Sequence, residues 1–176
     1  MVRYSVYKKE RSTLMSQKWK IILGVIILVL IAVGLYSGKL IRDARRYNEY
    51  IDKGYELLLN GRHEPALPLF QNAMKIRPYS YDPHYGVGAI YLKQRNLQSA
   101  IDELELAVKI NPDAVEARYS LGVAYHRMNN YPLALREYEE VLKKKPSVQV
   151  YNNVGGIYLE QGKYEEALDF LGKSKN

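Results

Sequence analysis

From about residue 47 onward, apolar side chains recur at spacings of three and four, the mark of amphipathic helices, and the whole pattern then recurs with a longer period. Gly54, Gly88, Gly122 and Gly155 are separated by 34, 34 and 33 residues, and each is followed twelve positions later by Ala66, Ala100, Ala134 or Ala167. Four residues beyond each Ala stand Phe70, Leu104, Tyr138 and Leu171, and three beyond those come Ala73, Ala107 and Val141 in the first three units. Asn60-Gly61, Arg95-Asn96, Asn129-Asn130 and Gln161-Gly162 break each unit in the middle, and Pro78, Pro112 and Pro146 close the first three. Pro65, Pro83 and Pro132 fall in predicted first turns, where a missing N–H costs little. Each unit reads as helix, turn, helix, stop. The small residue on the first helix admits the second closely, and the large residue beside the small Ala fills the space. Neither helix can bury its apolar face alone, so neighbouring units must stack.

This spacing resembles the tetratricopeptide repeat family. The family's Gly and Tyr on the first helix correspond to Gly88 and Tyr91, Gly122 and Tyr125, and Gly155 and Tyr158; the first unit keeps Gly54 but has Leu57 for the Tyr. Its small residue, aromatic and terminal Pro correspond to Ala66, Phe70 and Pro78 and their later equivalents. Its early Trp is replaced by Tyr50, His84, Arg118 and Tyr151. The resemblance implies an all-α chain with four helix pairs in an α-α superhelical solenoid, at about 47–80, 81–114, 115–147 and 148–176.

The remaining amino-terminal part has a different pattern. Sixteen uncharged residues, Ile21 to Tyr36, form a continuous apolar run. As a helix this run is about 24 Å long, and about 34 Å if extended from Trp19 to Ile41, against a hydrocarbon core of ~30 Å. Trp19 and Tyr36 sit where an interfacial aromatic belt would place them, and Lys20 and Lys39 are near enough to the ends to snorkel. The expectation is a basic leader over 1–20, one membrane-spanning helix over 21–41 and the repeats over 42–176. A cleaved signal peptide is the competing reading, because Ala32-Val33-Gly34 is a small-x-small triplet. Against it stand the length of the apolar stretch, the twenty-residue leader and the lack of an Ala-x-Ala. Ser37 to Tyr50 contains one Gly and no Pro, so the spanning helix is expected to run on, or nearly so, into the first repeat and hold the repeats near the bilayer.

Charge sharpens this division. The net charge of +7 invites a nucleic-acid reading, but residues 1–46 carry ten basic and two acidic side chains while residues 47–176 carry sixteen and seventeen. The repeats are close to neutral, and nucleic acid is not the expected partner. Six basic residues precede the span and five follow it through Lys53, which leaves the positive-inside rule nearly balanced. A short basic leader before a first apolar segment usually stays in the cytoplasm. That places the repeats on the far side, the periplasm in the case of a bacterial inner membrane, and the absence of cysteine permits an oxidising compartment. Gly34 and Gly38 form a G-x-x-x-G that could pack two spans together, or are two unrelated glycines near a helix end.

Catalytic chemistry finds little support. There is no Cys nucleophile, no G-x-S-x-G and no H-E-x-x-H. His63, His84 and His126 have no partner at ligand spacing and read as surface or groove residues. Gly86-Val87-Gly88 is a fragment of a dinucleotide fingerprint, and Gly156 to Lys163 departs from a phosphate loop in both spacing and its Tyr164. Glu137, Glu139 and Glu140 read as a solvated helix face. The expectation is a protein that is not an enzyme and uses no cofactor or metal.

In the tetratricopeptide family the first helices line a concave side that holds a peptide. The resemblance therefore implies groove residues Tyr55, Tyr85, Ala89, Tyr119, Val123, His126 and Asn153, with gaps at Gly86, Ala89 and Gly156 for ligand side chains. The carboxylate clamp of one branch is absent, since its positions carry Ile51, Tyr55, Gly86, Glu116 and Ser120. The alternative for Tyr55, Tyr85 and Tyr119 is packing between repeats. The polar Ser174 and Lys175 mark the last unit's end, yet Leu168 and Leu171 lack a capping helix, so a partner or a second copy could dock there. The expected function is a membrane-anchored scaffold or adaptor for protein assembly. The alternative is a permanent structural or accessory subunit of a larger membrane complex.

Overall fold

The computed structural model describes the backbone of Val2–Lys173 and the side chains of residues 17–173. The side chains of Arg3, Lys8, Lys9 and Arg11, and the ending at Ser174 and Lys175, lie outside the described residues. Eight α-helices and no strand occur among those residues: α1 Val2–Leu59, α2 His63–Ile76, α3 Tyr81–Lys93, α4 Leu97–Ile110, α5 Val115–Arg127, α6 Tyr131–Lys144, α7 Val148–Glu160 and α8 Tyr164–Lys173. The chain divides into two compact units, residues 1–45 and 46–176, with the boundary inside α1.

In the first unit α1 is exposed along its apolar run, from Ile21 to Leu35. It is long and apolar enough to cross a membrane by length and composition. A core helix of a soluble fold would be buried, and this one is not; a signal sequence has the same character. Ser37 Oγ, the hydroxyl just past the run, donates to the Val33 and Gly34 carbonyls at 2.9 and 3.0 Å. Its polar group is thereby satisfied within the helix.

In the second unit the end of α1 pairs with α2, and α3 with α4, α5 with α6 and α7 with α8 form three further hairpins that stack in order. This is the tetratricopeptide-type solenoid. Close approach within each pair rests on glycine. A methyl group built on Gly54, Gly88, Gly122 or Gly155 would lie 2.7 Å from an atom of Phe70, Leu104, Tyr138 or Leu171 respectively. Ala66, Ala100, Ala134 and Ala167 are fully buried alongside. The four large residues sixteen positions after each glycine therefore fill the place of its missing side chain.

The turn inside each hairpin is as periodic as the core. Gly61, Arg95, Asn129 and Gly162 have φ of 71, 61, 58 and 72°. In each turn the following N–H reaches back five residues (Arg62 to Leu57, Asn96 to Tyr91, Asn130 to Tyr125, Lys163 to Tyr158) at 2.8–3.0 Å. The left-handed residue's own N–H reaches back three. This double bond to the last turn is the Schellman ending, which favours a residue without a Cβ.

Two polar residues depart from expectation. His84 is buried, with Nδ1 2.6 Å from Glu103 Oε2 and Nε2 donating to the Pro78 carbonyl at 2.8 Å. Glu137 is 3% exposed and takes hydrogen bonds from Arg118 and Arg136, each at 2.9 Å. Neither is a solvated surface group, because a buried carboxylate or imidazole must find polar partners and both have them. Arg118 lies one repeat after His84 and copies its contacts, donating to the Pro112 carbonyl at 3.0 Å as well as to Glu137. At the position of the family's Trp, the two inner repeats thus use a basic side chain that clamps the second helix to the preceding proline turn. The last repeat instead sets Tyr151 against Phe170, with centroids 6.5 Å apart.

Arg95 carries a Cβ where two of the four turns have glycine. Arg95→Gly is expected to raise unfolding stability by about 1 kcal/mol, read by urea denaturation. An unchanged or lower midpoint would contradict the strain assigned to this turn.

Candidate functional site

The first helices of the last two hairpins open onto a cavity of about 460 Å³. Tyr119, Val123, His126 and Arg127 come from α5, Asn153 and Glu160 from α7, Tyr138 from α6 and Asn129 from the turn between. Helical spacing brings them together, since 119, 123 and 126 lie on one face of α5 and 153 and 160 on one face of α7. The Asn153 amide nitrogen donates to the Tyr119 hydroxyl at 3.1 Å and the Tyr138 hydroxyl at 3.3 Å, which fixes both rings. His126 Nε2 lies 3.1 Å from Glu160 Oε2, and the His126 ring stands edge-on to Tyr131 at 6.0 Å. Arg127 Nη1 donates to the Leu92 carbonyl at 3.0 Å and ties α5 to the end of α3.

A second cavity, of about 350 Å³, lies beside the first. Its apolar lining is Val115, Val141 and Val150 with Tyr85 and Tyr119; Glu116, Ser120, Lys145, Ser147 and Gln149 supply polar groups. Tyr119 lines both spaces, so the two are neighbours along one face. Burial pushes the Tyr138 phenol above its ordinary range, with Tyr119 adding to the shift. Burial does the same to Tyr85, against a hydrogen bond with Ser120 that pulls the other way. Both remain neutral hydroxyls near neutral pH. An apolar wall with fixed hydroxyls and an amide is a surface that can hold a side chain and bond a main chain.

Of the residues proposed from the sequence, Tyr119, Val123, His126 and Asn153 meet in the first cavity, and Tyr85 joins Tyr119 in the second. Tyr55 and Ala89 line neither. Tyr55 packs edge-on against Phe70 at 5.2 Å, lies 6.5 Å from Tyr85 and donates to the Asp82 carbonyl at 3.1 Å. Burial, and after it the Asp82 carboxylate, hold its phenol well above the ordinary range. Tyr81 stacks on Tyr85 at 5.6 Å with the ring planes 7° apart. The contact of Tyr55 with Tyr85 and its hydrogen bond to Asp82 join the first two repeats, and the ring contacts within them complete a packing role for both tyrosines. Trp19, Lys20, Tyr36 and Lys39 stand exposed on α1.

The expected gap at Gly86 is corrected by the geometry. A methyl group there would lie 2.6 Å from Phe70 Cζ, so the ring of the preceding repeat occupies the space. The same ring meets Gly54, which makes Phe70 a wedge between the first two units. Gly156 is different: nothing lies within 4 Å of the equivalent methyl position. It sits between Asn153 and Glu160 on the same face of α7, and its space is open. Tyr138 and Glu160 were not singled out from the sequence. Tyr138 belongs to a second helix, which the groove pattern does not count, although its place opposite Gly122 carries the periodic signal.

The sequence over residues 119–173 matches the tetratricopeptide repeat family, and residues 96–129 match a second description of the same repeat. Residues 96–173 therefore carry tetratricopeptide repeats. Its solenoid is similar to a crystal structure of MamA, with a TM-score of 0.69 at 24% identity over 73% of this chain and 76% of that one. It is also similar to MamA 41-end from Desulfovibrio magneticus RS-1, with a TM-score of 0.69 at 22% identity over 73% of each chain. A third structure, of MamA AMB-1, aligns with a TM-score of 0.65 at 20% identity over 73% of this chain and 76% of that one. At these identities the likeness is one of fold. No curated protein matches the chain.

The two glycines make opposite predictions. Gly86→Ala is expected to lower stability by roughly 1–3 kcal/mol through overpacking against Phe70. Gly156→Ala is expected to raise it by up to ~1 kcal/mol, the difference in helix propensity. Chemical denaturation of the two variants checks both, and equal effects would contradict the distinction between a filled and an open position.

Proposed function

We propose that this protein is a membrane-anchored scaffold, held in a bilayer by the span within 21–41 and binding a partner protein or peptide on the face lined by its first helices. Tetratricopeptide solenoids act as protein-interaction scaffolds, and the coarse role follows from the fold. The observation that carries the finer reading is the pair of adjoining cavities that share Tyr119. They present aromatic and aliphatic walls and hydroxyls fixed by Asn153, without a cluster of groups suited to bond-making chemistry, and Gly156 leaves an open position on α7 between Asn153 and Glu160. An extended segment could run across both, with one side chain in each. The exposed run of α1, bracketed by Trp19, Tyr36 and basic residues, supports the anchor. The role is that of an assembly factor or adaptor, with the repeats on the periplasmic side of a bacterial inner membrane.

A second surface favours lasting association as well. On α8, Tyr164 and Leu168 are 71% and 74% exposed, whereas Ile101, one period of 34 and one of 33 before Leu168, is 5% exposed beneath the next repeat. This face could take a second copy, or a neighbouring subunit in a permanent complex.

The test uses the full chain in native membranes with a photo-crosslinking residue at Val123 or, separately, at Glu139, an exposed position on a second helix. A discrete adduct from Val123 and none from Glu139 is expected, with the Val123 adduct reduced at least tenfold by Gly156→Leu. Adducts of equal yield from both positions, or one indifferent to Gly156→Leu, would contradict the groove reading.

A further inference from the structure

Among the described side chains, the basic residues before the apolar run are Lys18 and Lys20, whereas those after it in the same unit are Lys39, Arg42 and Arg45. The three later residues are spaced three apart, so they follow one another along one side of the helix, rising about 4.5 Å at each step. All three are exposed, and none forms an ion pair among the described residues, although Asp43 is close in sequence.

The Arg42 guanidinium has a defined place. The nearest side-chain atom to a methyl group built on Gly38 is Arg42 Nη1, at 3.6 Å. The side chain thus lies back along the helix towards the apolar run, over the surface that Gly38 leaves bare. Side chains on a helix lean towards its amino end, so this direction follows from the backbone. Gly38 is nineteen residues from Trp19, about 28 Å along the axis, close to the ~30 Å thickness of the hydrocarbon core. The guanidinium is therefore level with the edge of the hydrocarbon, where lipid glycerol and phosphate groups begin. A guanidinium is a planar fork that bonds two phosphate oxygens together, whereas an ammonium is a point charge.

We infer that Arg42 and Arg45, helped by Lys39, bind the phosphate of anionic phospholipids in the leaflet at this end of the span. The inference rests on the membrane reading above and goes beyond it in naming one leaflet and one lipid class. Arg42 holds the headgroup at the hydrocarbon edge, and Arg45 meets it from one step further out. Binding would fix the depth of the helix as well as its presence in the bilayer. Among the described side chains the other end carries Lys18 and Lys20, which give charge without the fork.

The test is native mass spectrometry of the full chain released from nanodiscs of phosphatidylcholine and phosphatidylglycerol in equal parts. Wild type should retain phosphatidylglycerol over phosphatidylcholine. Arg42→Gln and Arg45→Gln should each reduce that preference about fivefold, the effect of about one basic residue at a charged surface, and Lys18→Gln with Lys20→Gln should leave most of it. Excess inorganic phosphate should not displace the lipid, since the acyl chains hold it at the helix. Equal retention of the two lipids by wild type, full preference in the double arginine variant, loss only in the lysine variant or displacement by free phosphate would each overturn the inference. A chain that does not enter nanodiscs at all would instead overturn the membrane reading on which it rests.

Discussion

The repeat domain depends on one steric constraint, the absence of a side chain on the first helix of each hairpin opposite a large side chain on the second. At Gly54, Gly88, Gly122 and Gly155 a methyl group would be within 2.7 Å of that neighbour, closer than carbon atoms can pack. The glycines allow the helices to close, and the large residues prevent a void. Because each apolar face is too wide for its own partner to cover, the hairpins must also stack, and their stability comes chiefly from neighbours. Phe70 shows both effects in one ring, since it fills Gly54 within its hairpin and Gly86 in the next.

The cavities are what this packing leaves over. At Gly86 the space is closed, because Phe70 of the preceding second helix fills it. At Gly156 no such residue arrives, and the space between Asn153 and Glu160 stays open. The hydroxyls of Tyr119 and Tyr138 are held by one amide that would otherwise be free to turn. Buried polar contacts are costly unless complete, and the two inner hairpins complete theirs with His84 and Arg118. Each joins the carboxylate of its own second helix to the carbonyl of the proline turn before it, so hairpin closure and stacking are linked through one side chain.

Much of this was legible in the sequence, for a physical reason. Helix pairs, turns and the small-to-large contacts have fixed separations along the chain, and a repeat displays those separations several times. The left-handed turn residues fall on the predicted breaks, including Arg95, which is no glycine. The filling of Gly86 was not legible from spacing within a repeat, because Phe70 reaches it from the preceding one. The burial of Glu137 and His84 was not legible, because a polar side chain reads as solvated until a partner nineteen residues away across the hairpin is found. That separation recurs as His84 to Glu103 and Arg118 to Glu137, and it is a signal that sequence reading can use. Of the residues that line the first cavity, the first-helix pattern finds Tyr119, Val123, His126 and Asn153 but cannot find Tyr138, which enters from a second helix.

The most direct measurement is a double-mutant cycle on one interlocking pair, Gly88→Ala with Leu104→Ala, followed by chemical denaturation. If the glycine exists to admit the leucine, each change alone is destabilising, and the alanine at 88 costs far less once Leu104 is shortened, with a coupling of at least ~1 kcal/mol. Strictly additive effects would mean that the two positions do not sense each other, and the close approach on which the stacked hairpins are built would have to be attributed to something else.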